Sequence, residues 1–346
     1  GGAAQSAASA ASSERAKASE PVSRASEPVS IVAARRTAVG TAGRGLAAVD
    51  VSTLAATVLR AVLDDLGPGV PPVDDVIMGN CMGPGGNPAR VAALQAGLGE
   101  RVPGLTVDRQ CGSGLEAINL AVTMVRAGAG ELYLAGGAES ASTAPLRFWP
   151  GDPPVRYERA PFAPAGYPDP EMGEAAEAVA AAAGIDRARQ DRYAARSHAA
   201  AVAADFSAEL VAVDTGAPAT AAPTGSAPTD PTGSASTVWF DRDERPRGGL
   251  TVQRLARLRP AFVPGGTVTA GNSCGVSDGA AAVAVVSERL RAAHGWPGLR
   301  VLATATCGAD PGHPGTGLVP AVRSVLDRHG VAAGDLPPRM LVDHAV

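Results

Sequence analysis

The sequence predicts an α/β fold in which a mainly parallel sheet carries helices on both faces, laid out as two similar halves of which the second is incomplete. Three observations predict it. Short apolar runs such as VSIVAA (29–34), DDVIMGN (74–80) and ELYLAGGAES (131–140) alternate with helix-periodic stretches such as LAATVLRAVLDDLG (54–67). Those runs are near-continuously apolar, as strands covered on both sides must be. The third is an internal repeat: residues 31–79 run strand, Gly-rich loop, helix, Pro-rich connector, strand, and residues 300–346 repeat that order through RVLATAT, CGADPGHPGTG, LVPAVRSVLDRHG, AAGDLPP and RMLVDHAV. The first copy continues to Pro145, so by analogy roughly sixty residues are expected to be absent from the second.

Residues 1–28 hold the tandem ASEPVSR and ASEPVS, too small and proline-rich to bury a core, and read as a disordered tail. The first half spans 29–140. It opens with a buried strand at Val29–Ala34, the loop RRTAVGTAGRG, the helix at 54–67, a Pro-rich connector and the strand DDVIMGN. NPARVAALQAGLG follows as a helix, LTVDRQ as a strand, CGSGLEAINLAVTMVRAG as a long apolar helix and ELYLAGGAES as a strand. From Ala141 prolines and aromatics crowd the chain, marking an inserted loop domain over 141–264. Within it EMGEAAEAVAAAAG, DRARQDRYAARSHAAAVAADF and LTVQRLARLRPAF read as helices, and the low-complexity segment 214–238 as a mobile loop. Residues 265–288 return to complete the first half with a buried strand in GAAAVAVVSERLRAA, and 289–346 form the truncated second half.

Composition removes several function classes. A chain of 346 residues with 45% apolar and 18% charged side chains is globular and long enough for a buried core. Its 34 acidic and 30 basic residues are scattered, with no basic stripe to hold a nucleic acid, and no apolar run could span a bilayer. Cys81, Cys111, Cys274 and Cys307 stand apart from one another and from histidine pairs, so neither a metal nor a disulfide framework is expected. Free thiols and the absence of a leader pattern at the first residues place the protein in the cytoplasm by expectation.

Cys111 carries the chemistry. It lies between LTVDRQ and a helix opening Gly112-Ser113-Gly114, so its sulfur is expected at a strand-to-helix turn where small residues admit substrate. The partial positive charge of a helix end stabilises the thiolate, the reactive form. A lone cysteine is more often a small core residue, but a Cys-Gly-Ser-Gly helix start is poorly explained by packing. Glu139 in GGAES and Asp278 in VSDGA each fit either an acid–base pair or, preferred here, carboxylates that accept backbone hydrogen bonds and hold turns.

VDRQCGSGLEAINLAVTMVRAG, then AGGAESAS, then GTVTAGNSCGVSDGAAAVAVVSE resemble, in this order, three signatures of the thiolase family, and the likeness runs from Val29 to the last residue. The resemblance implies a layered αβαβα fold. It also implies that Cys111 is acylated by an acyl-CoA and passes the acyl group to the α-carbon of a second one, or the reverse in degradation, through a cysteine thioester. Coenzyme A thioesters are then substrates, no cofactor is bound, and the chain pairs as a homodimer or assembles into a higher oligomer. By the same resemblance Ser273, Cys274 and Gly275 meet the pantetheine arm, with Cys274 where the family usually has serine, and Met172 lines the acyl pocket unless it is simply core.

His313 in DPGHPGTG matches by chain order a loop other than the one with the family's catalytic histidine, and is a substitute base only if it reaches Cys111; otherwise it is a loop residue. Asp343 and His344 fall where the family has Asn-Glu, a change that would repel a developing oxyanion unless the two pair. The family's histidine and second cysteine are expected beyond Val346. Two readings therefore stay open: a thiolase whose remaining groups come from a second polypeptide or a continuation, or a non-catalytic thiolase-like subunit that binds acyl-CoA or a partner. A ketosynthase is a third and weaker one. A half-built second unit would also expose the apolar faces of VLATAT and LVPAVRSVL, which predicts aggregation or a covering partner.

Overall fold

The computed structural model describes residues 27–218 and 237–335, and one main sheet draws its strands from Val29 to Val301. Its elements begin with β1 (Val29–Thr37), β2 (Gly40–Thr41), α1 (Val51–Leu66), β3 (Asp75–Gly79) and α2 (Pro88–Gln95). They continue with β4 (Gly104–Val107), α3 (Ser113–Arg126) and β5 (Leu132–Ser140). The inserted region adds β6 (Arg147–Trp149), β7 (Val155–Tyr157), α4 (Met172–Ala182), α5 (Arg187–Ala203), β8 (Leu210–Val211), β9 (Val213–Pro218), β10 (Thr237–Phe240) and α6 (Val252–Leu255). After it come β11 (Ser277–Ser287), α7 (Glu288–His294), β12 (Leu299–Val301) and α8 (Leu318–Arg328).

The main sheet has the order β12-β1-β11-β5-β3-β4, with β2 and β8 attached at its margins. The β5-β3-β4 part is parallel, but β11 pairs antiparallel with both β1 and β5, and β12 antiparallel with β1. The sheet is thus mixed rather than mainly parallel in its pairings. The reason is connectivity: β11 arrives from the inserted region, not from a βαβ crossover, and nothing fixes its direction to that of its neighbours.

Alternation along the strands divides the core. Val76, Met78, Leu132, Leu134 and the even-numbered alanines of β11 face α1 and α2, whereas Ile77, Tyr133, Ala135 and Val285 face α3. α1 starts where the Asp50 carboxylate accepts from Ser52 N (2.9 Å) and Thr53 N (3.1 Å), and stops at Gly67, whose φ of 79° ends the helix without strain. α2 starts at Asn87, which also donates to the Gly104 carbonyl (2.7 Å) and so ties that helix to β4.

Three further expectations are corrected. LTVQRLARLRPAF is helical only over Val252–Leu255: Pro260 cannot continue a helix, and the carbonyls of Leu255 and Leu258 bond the Arg187 guanidinium instead. The ends of the low-complexity segment are ordered, β9 and β10 pairing antiparallel, while its middle lies outside the described residues, as do residues 1–26 of the tail. RVLATAT does not found a second sheet among the described residues. Only Leu299–Val301 is a strand, and it edges the first sheet.

Candidate active site

Cys111 sits at the strand-to-helix turn between β4 and α3, exposed, on the wall of a cavity of about 550 Å3. The turn is held in an unusual conformation: Gln110 has φ of 50°, a left-handed backbone that costs a non-glycine residue about 1 kcal/mol and persists only where neighbours fix it. They do. Gln110 N donates to the Asp108 carboxylate (2.8 Å), the Gln110 carbonyl accepts from Ser113 N (2.9 Å), and Ser113 Oγ accepts from Arg109 N (2.7 Å) while donating to the Gln110 carbonyl.

Glycines let α3 come down on the strand ends. A side chain at Gly79 would overlap the backbone of Ser113 and Gly114, and one at Gly137 would press on Gly114. The first turn of α3 is therefore seated directly on β3 and β5, with Cys111 at its mouth.

The other walls explain the two carboxylates. Glu139, at the end of β5, accepts from Asn80 Nδ2 (2.7 Å), Cys81 N (3.0 Å) and Met82 N (3.1 Å), and so shapes the loop after β3. Asp278 is fully buried and accepts from Ser142 N (3.0 Å) and Ser142 Oγ, joining β11 to the chain leaving β5. Cys81 shares the Cys111 cavity, a feature the sequence reading missed. Its thiol donates to Glu139 Oε2 (3.0 Å); burial first, then that bond and the carboxylate charge, push its pKa up to about 12. The signal was present, since Cys81 and Cys111 each follow the C-terminal end of a strand, and those strands, β3 and β4, are neighbours.

A second cavity, about 650 Å3, adjoins the first and shares Ser277 with it. Arg245, Arg247, Arg254 and His198 line it, with no carboxylate among its lining residues. Ser273, Cys274 and Gly275 lie on its wall. The segment leading to them is anchored in the inserted region: Glu177 of α4 accepts from Thr267 N (2.7 Å) and Val268 N (2.7 Å), and Asn272 Nδ2 donates to the buried Asp191 of α5 (3.1 Å).

Other expected site residues stand elsewhere. Met172 begins α4, half exposed, and lines neither cavity. His313 does not join Cys111: its Nδ1 pairs with Asp310 (2.9 Å) in a loop outside the lining of either cavity, and that bond first of all holds the Asp310 carboxyl below its usual range. Asp343 and His344 lie outside the described residues. Among the described residues no group of three or more His, Cys, Asp or Glu could hold a metal ion, and no helix is long and apolar enough to cross a membrane.

Comparison with known proteins gives a consistent answer. Residues 29–289 match the family model "Thiolase, N-terminal domain". An acetyl-CoA acetyltransferase of Pseudomonas aeruginosa is 38% identical over 315 residues, covering 87% of this chain and 76% of the relative. A putative acetyl-CoA C-acetyltransferase of Bacillus subtilis is 39% identical, over 88% of this chain and 76% of its own length. The crystal structure of the Bacillus anthracis acetyl-CoA acetyltransferase superposes with a TM-score of 0.77 at 33% identity, over 90% of this chain and 78% of that one.

Proposed function

The chain belongs to the thiolase family, and from that premise we propose that Cys111 accepts an acyl group from a coenzyme A thioester and hands it to a second acyl carrier. One observation supports this most: an exposed thiol on the wall of a cavity that adjoins one whose charged lining side chains are all basic. A coenzyme A thioester has that bipartite chemistry, a reactive carbonyl at one end of a pantetheine arm and phosphates at the other. Arg247 and Arg254 suit the phosphates, since guanidinium groups bind them through paired donors.

In the first half-reaction Cys111 Sγ, as thiolate, attacks the thioester carbonyl carbon. The tetrahedral adduct expels coenzyme A as its thiolate, which takes up a proton, and the acyl group remains on sulfur. In the second, the α-carbon of another acyl-CoA gives up a proton, which balances the one taken up by coenzyme A, and attacks the Cys111 thioester; the product is a 3-ketoacyl-CoA with the cysteine thiolate released. The reverse sequence is thiolysis. The chain's own contribution is positional: the Gln110 turn aims the sulfur, and Glu139 and Asp278 hold the cavity walls. A homodimer, placed in the cytoplasm, completes the reading; light scattering in solution tests the pairing.

Incubation with acetyl-CoA followed by intact-mass measurement tests the central claim. One acetyl group is expected on the wild-type chain and none on Cys111→Ala. An unmodified wild-type chain that still binds coenzyme A would instead make it a carrier-binding subunit.

A further inference from the structure

Between the two cavities runs the strap Ser273–Ser277, whose first part lines the cationic cavity and whose last residues line the thiol cavity. Among the described residues, one side chain from another loop hydrogen-bonds to it. The Arg245 guanidinium donates through Nη2 to the Val276 carbonyl, which also accepts from Ala42 N (3.1 Å). It lies against the backbone of Gly275 so closely that a side chain there would overlap Nη1, Nη2 and Cζ. Gly275 is thus a seat for the guanidinium, and its φ does not itself demand glycine.

The base of Arg245 is equally fixed. Asp243 accepts from Val39 N (2.7 Å) and pairs with Arg36 (2.9 Å), and Glu244 accepts from Thr41 N (2.6 Å) and Gly45 N (3.1 Å). Two consecutive carboxylates therefore stitch this loop to the β1–β2 turn, and Arg36 and Val39 themselves line the thiol cavity. Arg245 Nε is buried without a hydrogen-bond partner. An unmet donor is tolerated in a folded protein where the rest of the group is held for another purpose.

We infer that Arg245 is a positioning residue for the acyl carrier: its guanidinium sets the strap so that one extended ligand occupies the cationic and thiol cavities together. The inference rests on the acyl-carrier reading above and adds a residue to it. Arg245 acts through the strap, not on the reacting carbon. Its removal then penalises a thioester long enough to span both cavities and largely spares one confined to the thiol cavity.

The test measures Cys111 acetylation by intact mass against time, with acetyl-CoA and with the short thioester S-acetyl-N-acetylcysteamine. The proteins are wild type, Arg245→Met, Arg245→Lys and Gly275→Ala, the last displacing the guanidinium while keeping its charge. Arg245→Met and Gly275→Ala are expected to lower the rate constant with acetyl-CoA at least tenfold more than that with the short thioester, through a raised half-saturation concentration rather than a lowered limiting rate. Arg245→Lys, which can still donate to Val276, recovers part of the loss. Equal losses with both thioesters, or no loss with either, overturn the inference. Calorimetric titration with coenzyme A alone separates this from the parent reading. A wild-type chain that is never acetylated, yet binds coenzyme A more tightly than Arg245→Met does, sinks the acyl transfer and keeps the arginine's role; equal binding by the two sinks that role as well.

Discussion

α1 and α8 make an instructive pair, because the sequence presents them as the same helix in two copies of one unit. Both follow a Gly-rich loop and both carry a stripe of Leu and Val on one face. Yet α1 buries Leu54, Val58, Leu59 and Val62 completely, and α8 buries none of its residues among those described. The difference teaches that an amphipathic pattern specifies which face a helix will hide, not that a surface is there to hide it. α1 has the alanine-rich face of β11 and the flank of α2 to lie on. α8 is tied to the chain after β12 by Arg328, which donates to the Thr304 carbonyl (3.3 Å), and Leu299 and Leu302 beside that edge strand stay exposed.

The largest test of that contrast is Leu54→Ala, which empties a closed site in the core and should cost about 2–5 kcal/mol in chemical denaturation. A loss well under that would mean α1 is no better packed than α8. Next comes Gly79→Ala. The added carbon meets the backbone of Ser113 and Gly114, so about 1–3 kcal/mol should be lost, and Cys111 acetylation should slow as α3 is pushed off β3.

Cys81 gives a smaller, pH-dependent effect. Its thiol pKa is raised in the fold to about 12, so the folded chain keeps a proton that the unfolded chain gives up near pH 9. The associated stability is complete below about pH 9 and fades as pH climbs towards 12, by at most about 1–2 kcal/mol after screening at this half-buried position. Urea melts at about pH 8 and about pH 10.5 should show a larger drop in wild type than in Cys81→Ser, whose hydroxyl does not titrate there, the part common to both coming from the Tyr133 phenol that burial also pushes up. The smallest effect belongs to α8: Val325→Ala should cost under about 1 kcal/mol, and a cost like that of Leu54→Ala would show that α8 is covered in solution.

The order of elements from β1 to β5 was legible because each buried strand is a short apolar run and two of the three helices have a side-chain start, at Asp50 and Asn87. The direction of β11 was not, since SDGAAAVAVVS reads the same whichever way it pairs. Cys111 stood out from its glycines. Arg245 could not, because its meaning depends on Gly275 and Val276 thirty residues on, and an arginine among many arginines carries no local mark. Cys81 is intermediate: its place beside Cys111 follows once β3 and β4 are known to be neighbours. His313 shows the opposite failure, a motif recognisable in sequence whose side chain is spent on Asp310.

The central position of β11 has a consequence for biogenesis. A ribosome delivers β1, β3, β4 and β5 long before it delivers the strand that lies between β1 and β5, and the whole inserted region emerges in the interval. The nascent sheet must wait with a gap in its middle, and pairings this remote in sequence close slowly. Because Val276 to Ala281 also form a wall beside Cys111, the thiol acquires its enclosure only when that late strand docks, so a stalled or prematurely released chain exposes a cysteine without the pocket that would discipline it.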